Sequence, residues 1–134
     1  MDKIVSIRGA ITVKENSVKE IKTSVCSLIN EIFKQNKFDK SNIINVIFTV
    51  TDDLDSVNPA TVVREEFKLD LSPMLCVQEM KVKNGLPKCI RVMIQVGAYQ
   101  GNPGEIKHVY LGDAAHLRPD LSFDVWYTWN NYQT

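Results

Sequence analysis

Four arginines, Arg8, Arg64, Arg91 and Arg118, stand apart in a chain that otherwise draws its positive charge from twelve lysines. Arg8 and Arg91 fall in runs that alternate like strands. Between them lies Met74-Leu75-Cys76-Val77-Gln78-Glu79-Met80, an apolar stretch that carries a glutamate. A guanidinium presents five donors in a rigid fork that matches a carboxylate, whereas a lysine is a flexible, strongly hydrated point charge. Arginines on strands beside a carboxylate therefore suggest a pocket for a small, multiply anionic molecule, with the lysines left to the surface.

The elements that must position these groups follow from periodicity. From Val5 to Val13 the odd residues are apolar or glycine and the even ones are Ser6, Arg8, Ala10 and Thr12, so Arg8 leaves a half-buried strand on the face opposite its core row. Ser17 and Glu20 form a capping-box pair, followed by Val18, Ile21, Val25, Leu28, Ile29, Ile32 and Phe33 at helical spacing. Residues 45–51 read as a second strand, ending in the acidic turn Asp52-Asp53-Leu54-Asp55. Asn58-Pro59 has the chemistry of a helix start, and a short helix from there through Phe67 carries Arg64. Strands are expected over residues 73–78, 89–96 and 106–111, separated by Asn84-Gly85 and Asn102-Pro103-Gly104. In the middle one Ile90, Val92, Ile94 and Val96 make one apolar face and Arg91 lies on the other; in the last, His108 and Tyr110 share a side. The expectation is one α+β or α/β domain.

Composition narrows the function. A chain of 134 residues can bury a core of ordinary size without metals or disulfides. Sixteen basic and sixteen acidic side chains cancel, so no global field gathers nucleic acid or anionic lipid, and anion recognition has to be local. Three cysteines, Cys26, Cys76 and Cys89, form no Cys-x-x-Cys pair; this argues against a disulfide framework or structural zinc and for a reducing cytoplasm. No apolar signal core precedes the first strand, and no apolar run approaches the length of a membrane span. The last dozen residues hold Phe123, Trp126, Tyr127, Trp129 and Tyr132, nearly half of the eleven aromatics, and are read as a separate tail, 123–134, after a domain over 1–122.

Five segments in unbroken order resemble the monofunctional chorismate mutases of the trimeric α/β-barrel type. They are Ile7-Arg8-Gly9-Ala10; Phe48-Thr49-Val50-Thr51-Asp52-Asp53-Leu54; Pro59-Ala60 with Val63-Arg64; Cys76-Val77-Gln78-Glu79-Met80 leading to Cys89-Ile90-Arg91-Val92-Met93; and Ile106-Lys107-His108-Val109-Tyr110-Leu111 leading to Leu117-Arg118-Pro119-Asp120-Leu121. The resemblance implies a mixed sheet of about five strands packed by two helices, three copies forming a pseudo-barrel core. It implies the pericyclic rearrangement of chorismate to prephenate, with no cofactor and no metal, on the route to phenylalanine and tyrosine. Nucleic acid and membrane are not expected partners.

By the same resemblance, Arg91 is the cation that meets negative charge developing on the ether oxygen, and Arg8 and Tyr110 hold substrate carboxylates. Cys76 and Glu79 hydrogen-bond the hydroxyl end, with Glu79 ionised as an acceptor; Val77 and Gln78 lie between them and count with the substrate-binding stretch. Ala60, Arg64, Met74 and Leu75 reach the site from the adjacent chain of a homotrimer. Leu117 and Arg118 match residues at the cleft mouth. Asn58 departs from the family pattern, standing where relatives place a large aromatic against the substrate.

Each residue also has a plain reading. A lone arginine on a strand is usually solvated or ion-paired, Glu79 could be an edge-strand charge, and Cys76 a small buried hydrophobe. Two other functions stay open: an enamine or imine deaminase, since a second family of small trimers shares this barrel and binds a carboxylate with an arginine, and a non-catalytic trimer that binds a small acid.

Overall fold

The computed structural model describes residues 3–116; Leu117, Arg118 and the aromatic tail lie outside the described residues. Five strands and two α-helices follow one another as β1 (Val5–Thr12), α1 (Val18–Gln35), β2 (Ile43–Val50), α2 (Pro59–Phe67), β3 (Met74–Gln78), β4 (Cys89–Val96) and β5 (Val109–Leu111). They form one mixed sheet in the order β3-β2-β4-β1-β5. β4 runs antiparallel to both β1 and β2, while β5 and β3 join the edges in parallel with β1 and β2 respectively. This is the α+β sheet-and-two-helix arrangement expected from the resemblance.

Alternation along each strand decides what the two sheet faces become. On one face Ile7, Ile11, Phe48, Val46, Ile90, Val92, Ile94 and Val96 meet Ile21, Val25, Leu28, Ile29 and Ile32 of α1 and Val62 and Val63 of α2. That face is the core, and both helices lie on it. The cross-strand pairs of the other face form three rows: Asn45–Gln95–Ser6, then Leu75–Ile47–Met93–Arg8, then Val77–Thr49–Arg91–Ala10–Tyr110. Among the described residues no α-helix lies on this face. At its β5 end the 3-10 helix Gly112–His116 sets Ala114 against Ala10, Cys89 and Tyr110, which are buried, while towards β3 the side chains of Leu75, Val77, Ile47 and Met93 are exposed.

The helix ends show why these segments stop where they do. Ser17 caps α1 by accepting the Glu20 N–H at 3.1 Å, but its own N–H goes to the Glu15 carbonyl, so only half of the expected capping box forms. Val18, expected in the apolar stripe, sits in the first turn and is exposed. Asn58 caps α2 through a 2.8 Å bond from the Ala60 N–H, with Pro59 at the first helical position and Lys68 closing the helix in the left-handed region at φ 58°.

β5 starts three residues later than the sequence pattern indicates. Lys107 is held by a side chain rather than by the sheet: its N–H donates to Asn36 Oδ1 and its carbonyl accepts from Asn36 Nδ2, both at 2.9 Å. The Arg8 N–H donates to His108 Nδ1 at 3.0 Å, which engages the ring in place of a backbone carbonyl and fixes Nδ1 as an acceptor. Buried backbone polar groups demand partners, and here side chains supply them.

Gly9 lets α1 sit directly on β1. A Cβ there would come within 2.9 Å of Ile32 Cδ1, 3.0 Å of Leu28 Cδ1 and 3.1 Å of the Val109 carbonyl oxygen. The two methyls can turn away, but the carbonyl belongs to the β1–β5 ladder. Gly9→Ala should therefore destabilise the fold by about 1–3 kcal/mol through overpacking, read as a lower urea midpoint at unchanged slope.

Candidate active site

The third row of the open face carries the charge. Thr49 of β2 is paired across the strands with Arg91 of β4, and Arg91 in turn with Ala10 of β1 and Ala10 with Tyr110 of β5. Arg8 stands one row away on β1. Glu79 follows the last residue of β3, and its N–H donates to the Val50 carbonyl at 2.8 Å, extending the ladder by one bond. That bond brings the carboxylate to Arg91: Glu79 Oε1 lies 2.8 Å from Arg91 Nε, with the two side chains 24% and 31% exposed. The same oxygen accepts a 2.7 Å bond from the Thr49 hydroxyl.

Two polar atoms here are buried without a hydrogen-bond partner. The Arg91 Nε proton is one: the 2.8 Å approach to Glu79 is a charge contact too oblique to be a directed hydrogen bond. The Tyr110 hydroxyl is the other, in a residue only 1% exposed. Burying such groups unpaired costs free energy, so each is a point where a new partner is gained at little cost. Ala10, which stands between Arg91 and Tyr110 in the row, is fully buried and packs with Tyr110, Cys89 and Ala114.

Arg8, Thr49, Glu79, Arg91, Ile47 and Met93 line a concavity of about 190 Å³. On the far side of the Glu79–Arg91 pair a second hollow of about 370 Å³ runs to Asp52, Asp53, Met80 and Lys81. A larger hollow, about 600 Å³, is bordered by Lys14, Lys88, Ser24 and Asp113 and touches none of Arg8, Glu79, Arg91 or Tyr110. Size would favour it; the Glu79–Arg91 pair and the neighbouring Arg8 select the smaller one. Among the described residues no cluster of three or more His, Cys, Asp or Glu is placed to hold a metal ion.

The structure thus brings together Arg8, Glu79 and Arg91 around one concavity, while Tyr110 is buried two strands along the Arg91 row, with Val77 in that same row and Leu75 in the next. Other sequence-predicted residues stand apart within one chain. Met74 and Cys76 turn their side chains to the helix face and pack against the core. The backbone of Cys76 is placed differently. The Pro73 carbonyl and the Glu79 N–H both point to β2, and strand groups alternate, so the Cys76 N–H and C=O point out of the open sheet edge. Cys76 can therefore offer the edge its backbone rather than its thiol. Gln78 is exposed at the end of β3. Asn58, Ala60 and Arg64 belong to α2 on the helix side; Ala60 packs against the core, Arg64 is exposed, and the Asn58 side chain is occupied in capping. Leu117 and Arg118 lie outside the described residues. Thr49, which the sequence pattern presents only as part of a β-branched strand, is the polar contact that periodicity did not single out.

Cys89, paired with Thr12 one step further along the same face, belongs to a small second core with Ala10, Tyr110 and Ala114. Burial pushes its thiol up to about 11, against the opposing pull of Arg91. Burial likewise raises Cys76 and Cys26. None of the three is poised as a thiolate nucleophile.

Residues 4–121 match the family described as chorismate mutase type I. The chain is 40% identical over 116 residues to chorismate mutase AroH of Bacillus subtilis (strain 168), covering 87% of this chain and 91% of that protein. It is 36% identical over 116 residues to chorismate mutase AroH of Thermus thermophilus, covering 86% and 93%. Among solved structures, a chorismate mutase from Clostridium thermocellum superposes with a TM-score of 0.76 at 39% identity, over 81% of this chain and 96% of that one.

The buried thiol makes stability depend on pH. Between pH 9 and about 11 the unfolded chain gives up the Cys89 proton that the folded chain retains. Stability should fall with rising pH across that window and not below it. In Cys89→Ala the fall should be shallower, as measured by urea unfolding at a series of pH values.

Proposed function

The chain belongs to the type I chorismate mutase family, and from that premise we propose that Arg91, oriented by Glu79, is its catalytic cation. The enzyme is an isomerase of aromatic biosynthesis and converts chorismate to prephenate. The match spans nearly all of the described chain, so the deaminase and binding-only readings are not favoured.

The reaction is unimolecular and moves no proton to or from the protein, so the site has to orient the substrate and stabilise charge. As the ether bond breaks, negative charge grows on its oxygen. A guanidinium already fixed at that point lowers the barrier because it interacts more strongly with the transition state than with the ground state. Arg91 meets the requirement: it is on a central strand, partly desolvated and held at 2.8 Å by a carboxylate. Glu79 accepts from the substrate hydroxyl, and the Cys76 backbone at the open edge serves the same end of the molecule. Arg8 and the unpartnered Tyr110 hydroxyl take the carboxylates. The observation that carries this assignment is the meeting of a cation with its carboxylate and the Thr49 hydroxyl on the open part of the sheet face, beside Arg8.

We further propose that the working form is a homotrimer with shared clefts, in the cytoplasm. The single-chain hollow of about 190 Å³ is smaller than an ordinary ligand cleft of about 300–1,000 Å³. The exposed Leu75, Val77, Ile47 and Met93 form an apolar surface next to it, which burial between copies would remove from water. Ala60 and Arg64, on the helix side of their own sheet, are assigned to a neighbour's cleft, with Met74 and Leu75 at the open edge and Leu117 and Arg118 at its mouth. Asn58, committed to its helix cap, leaves the pocket wall without the family's aromatic. The domain is taken to end near residue 122, in keeping with a family match that stops at 121. A cytoplasmic location fits three free cysteines and the lack, among the described residues, of any helix long and apolar enough to cross a membrane.

Arg91→Ala should fold and assemble as the native protein does, yet lose at least about a hundredfold in turnover of chorismate followed by ultraviolet absorbance. Turnover close to native would remove Arg91 from this role. Sedimentation of the native protein should give a species of three chains, and a fully active monomer would contradict the shared cleft.

A further inference from the structure

We infer that Thr49 is a positioning residue for the rearrangement, holding the Glu79 carboxylate so that one of its oxygens steadies Arg91 while the other stays available to the substrate. This rests on the reading of Glu79 and Arg91 as the site. Thr49 lies on β2, paired across the ladders with Arg91 on one side and Val77 on the other, so it stands between the cation and the strand that leads to the carboxylate. Both polar contacts of Glu79 fall on Oε1: the Thr49 hydroxyl at 2.7 Å and Arg91 Nε at 2.8 Å. Among the described residues Oε2 has no such contact.

A carboxylate held at one oxygen by two groups has its terminal torsion set. That torsion is otherwise broad and nearly two-fold. Arg91 alone would not set it, because its Nε approach is oblique and leaves the proton unpartnered. The hydroxyl can, since a β-branched side chain on a strand has few χ1 choices and its oxygen is directed by the backbone. Without the hydroxyl the carboxylate is free to swing and pair differently with the guanidinium. Bidentate carboxylate–arginine pairs are strong, so such a pair would draw the cation off the position where ether-oxygen charge appears. The carboxylate would also cease to present Oε2. Thr49 thus acts on the reaction through Glu79 and Arg91 and need not touch the substrate.

The test is a double-mutant cycle on the full chain with chorismate as the probe. Thr49→Val is nearly isosteric and suits a strand, so folding should be kept. It should lower kcat/KM by about tenfold, the order expected for one hydrogen bond to a charged group, with most of the loss in kcat. Thr49→Ser, which keeps the hydroxyl, should restore most of that loss. In a Glu79→Ala background Thr49→Val should change nothing further, because its partner is gone. An equal cost of Thr49→Val with and without Glu79, or a cost that Ser does not relieve, would overturn the inference. So would a neutral Thr49→Val beside a damaging Glu79→Ala, which overturns the role of Thr49 while keeping that of Glu79. A neutral Glu79→Ala would overturn the site reading and this inference with it.

Discussion

Both α-helices among the described residues pack on the same side of the sheet, and the consequences of the side they leave open govern the rest of the molecule. A strand points successive side chains to opposite faces, so every residue that builds the helix-covered core sets its neighbours on the open one. Ile90, Val92 and Ile94 are buried under α1 and α2, and Arg91 and Met93 between them are thereby turned outward. An open sheet face cannot be wholly apolar and monomeric, nor can it hold a desolvated cation without a partner. Here it carries one largely apolar row, Leu75–Ile47–Met93, beside the row that holds Arg91.

That chemical row is economical in what it asks of the fold. Arg91 sits on β4, which is flanked by β1 and β2, so its backbone is held by ladders on both sides. Glu79 reaches it because a single extra bond to Val50 carries the chain past the end of β3 in the right direction. The Thr49 hydroxyl then meets the carboxylate at the same oxygen that faces Arg91. The energetic logic is preorganisation: the charges are placed and partly dried when the protein folds, so little reorganisation is left for the reaction itself.

Much of this was legible in the sequence where periodicity is unambiguous. The alternation in β1 and β4 by itself sets Arg8 and Arg91 opposite the core, and Asn58-Pro59 marks the start of α2. Short or mixed stretches were harder. In Met74-Leu75-Cys76-Val77 both faces are apolar, so alternation alone does not say which way Cys76 turns; packing against the α-helical layer decides it. The start of β5 depends on Asn36, which lies 71 residues from Lys107 in sequence, and no local pattern contains that information. Thr49 looked like ordinary strand filler because its function is a single hydroxyl directed at a residue thirty positions away. The resemblance implied a mixed sheet of about five strands but not their order, since pairing of distant strands is set by tertiary packing.

The account stands on Arg91 meeting the ether oxygen while Glu79 steadies it, and the most direct measurement is a crystal structure with a stable dicarboxylate mimic of the transition state. The account predicts the mimic on the open sheet face, its ether oxygen about 3 Å from an Arg91 nitrogen, Glu79 still against the same guanidinium and a carboxylate near Arg8 or Tyr110. A mimic bound elsewhere, in the larger hollow by Lys14 and Lys88 for example, or an Arg91 turned away from its ether oxygen, would contradict it.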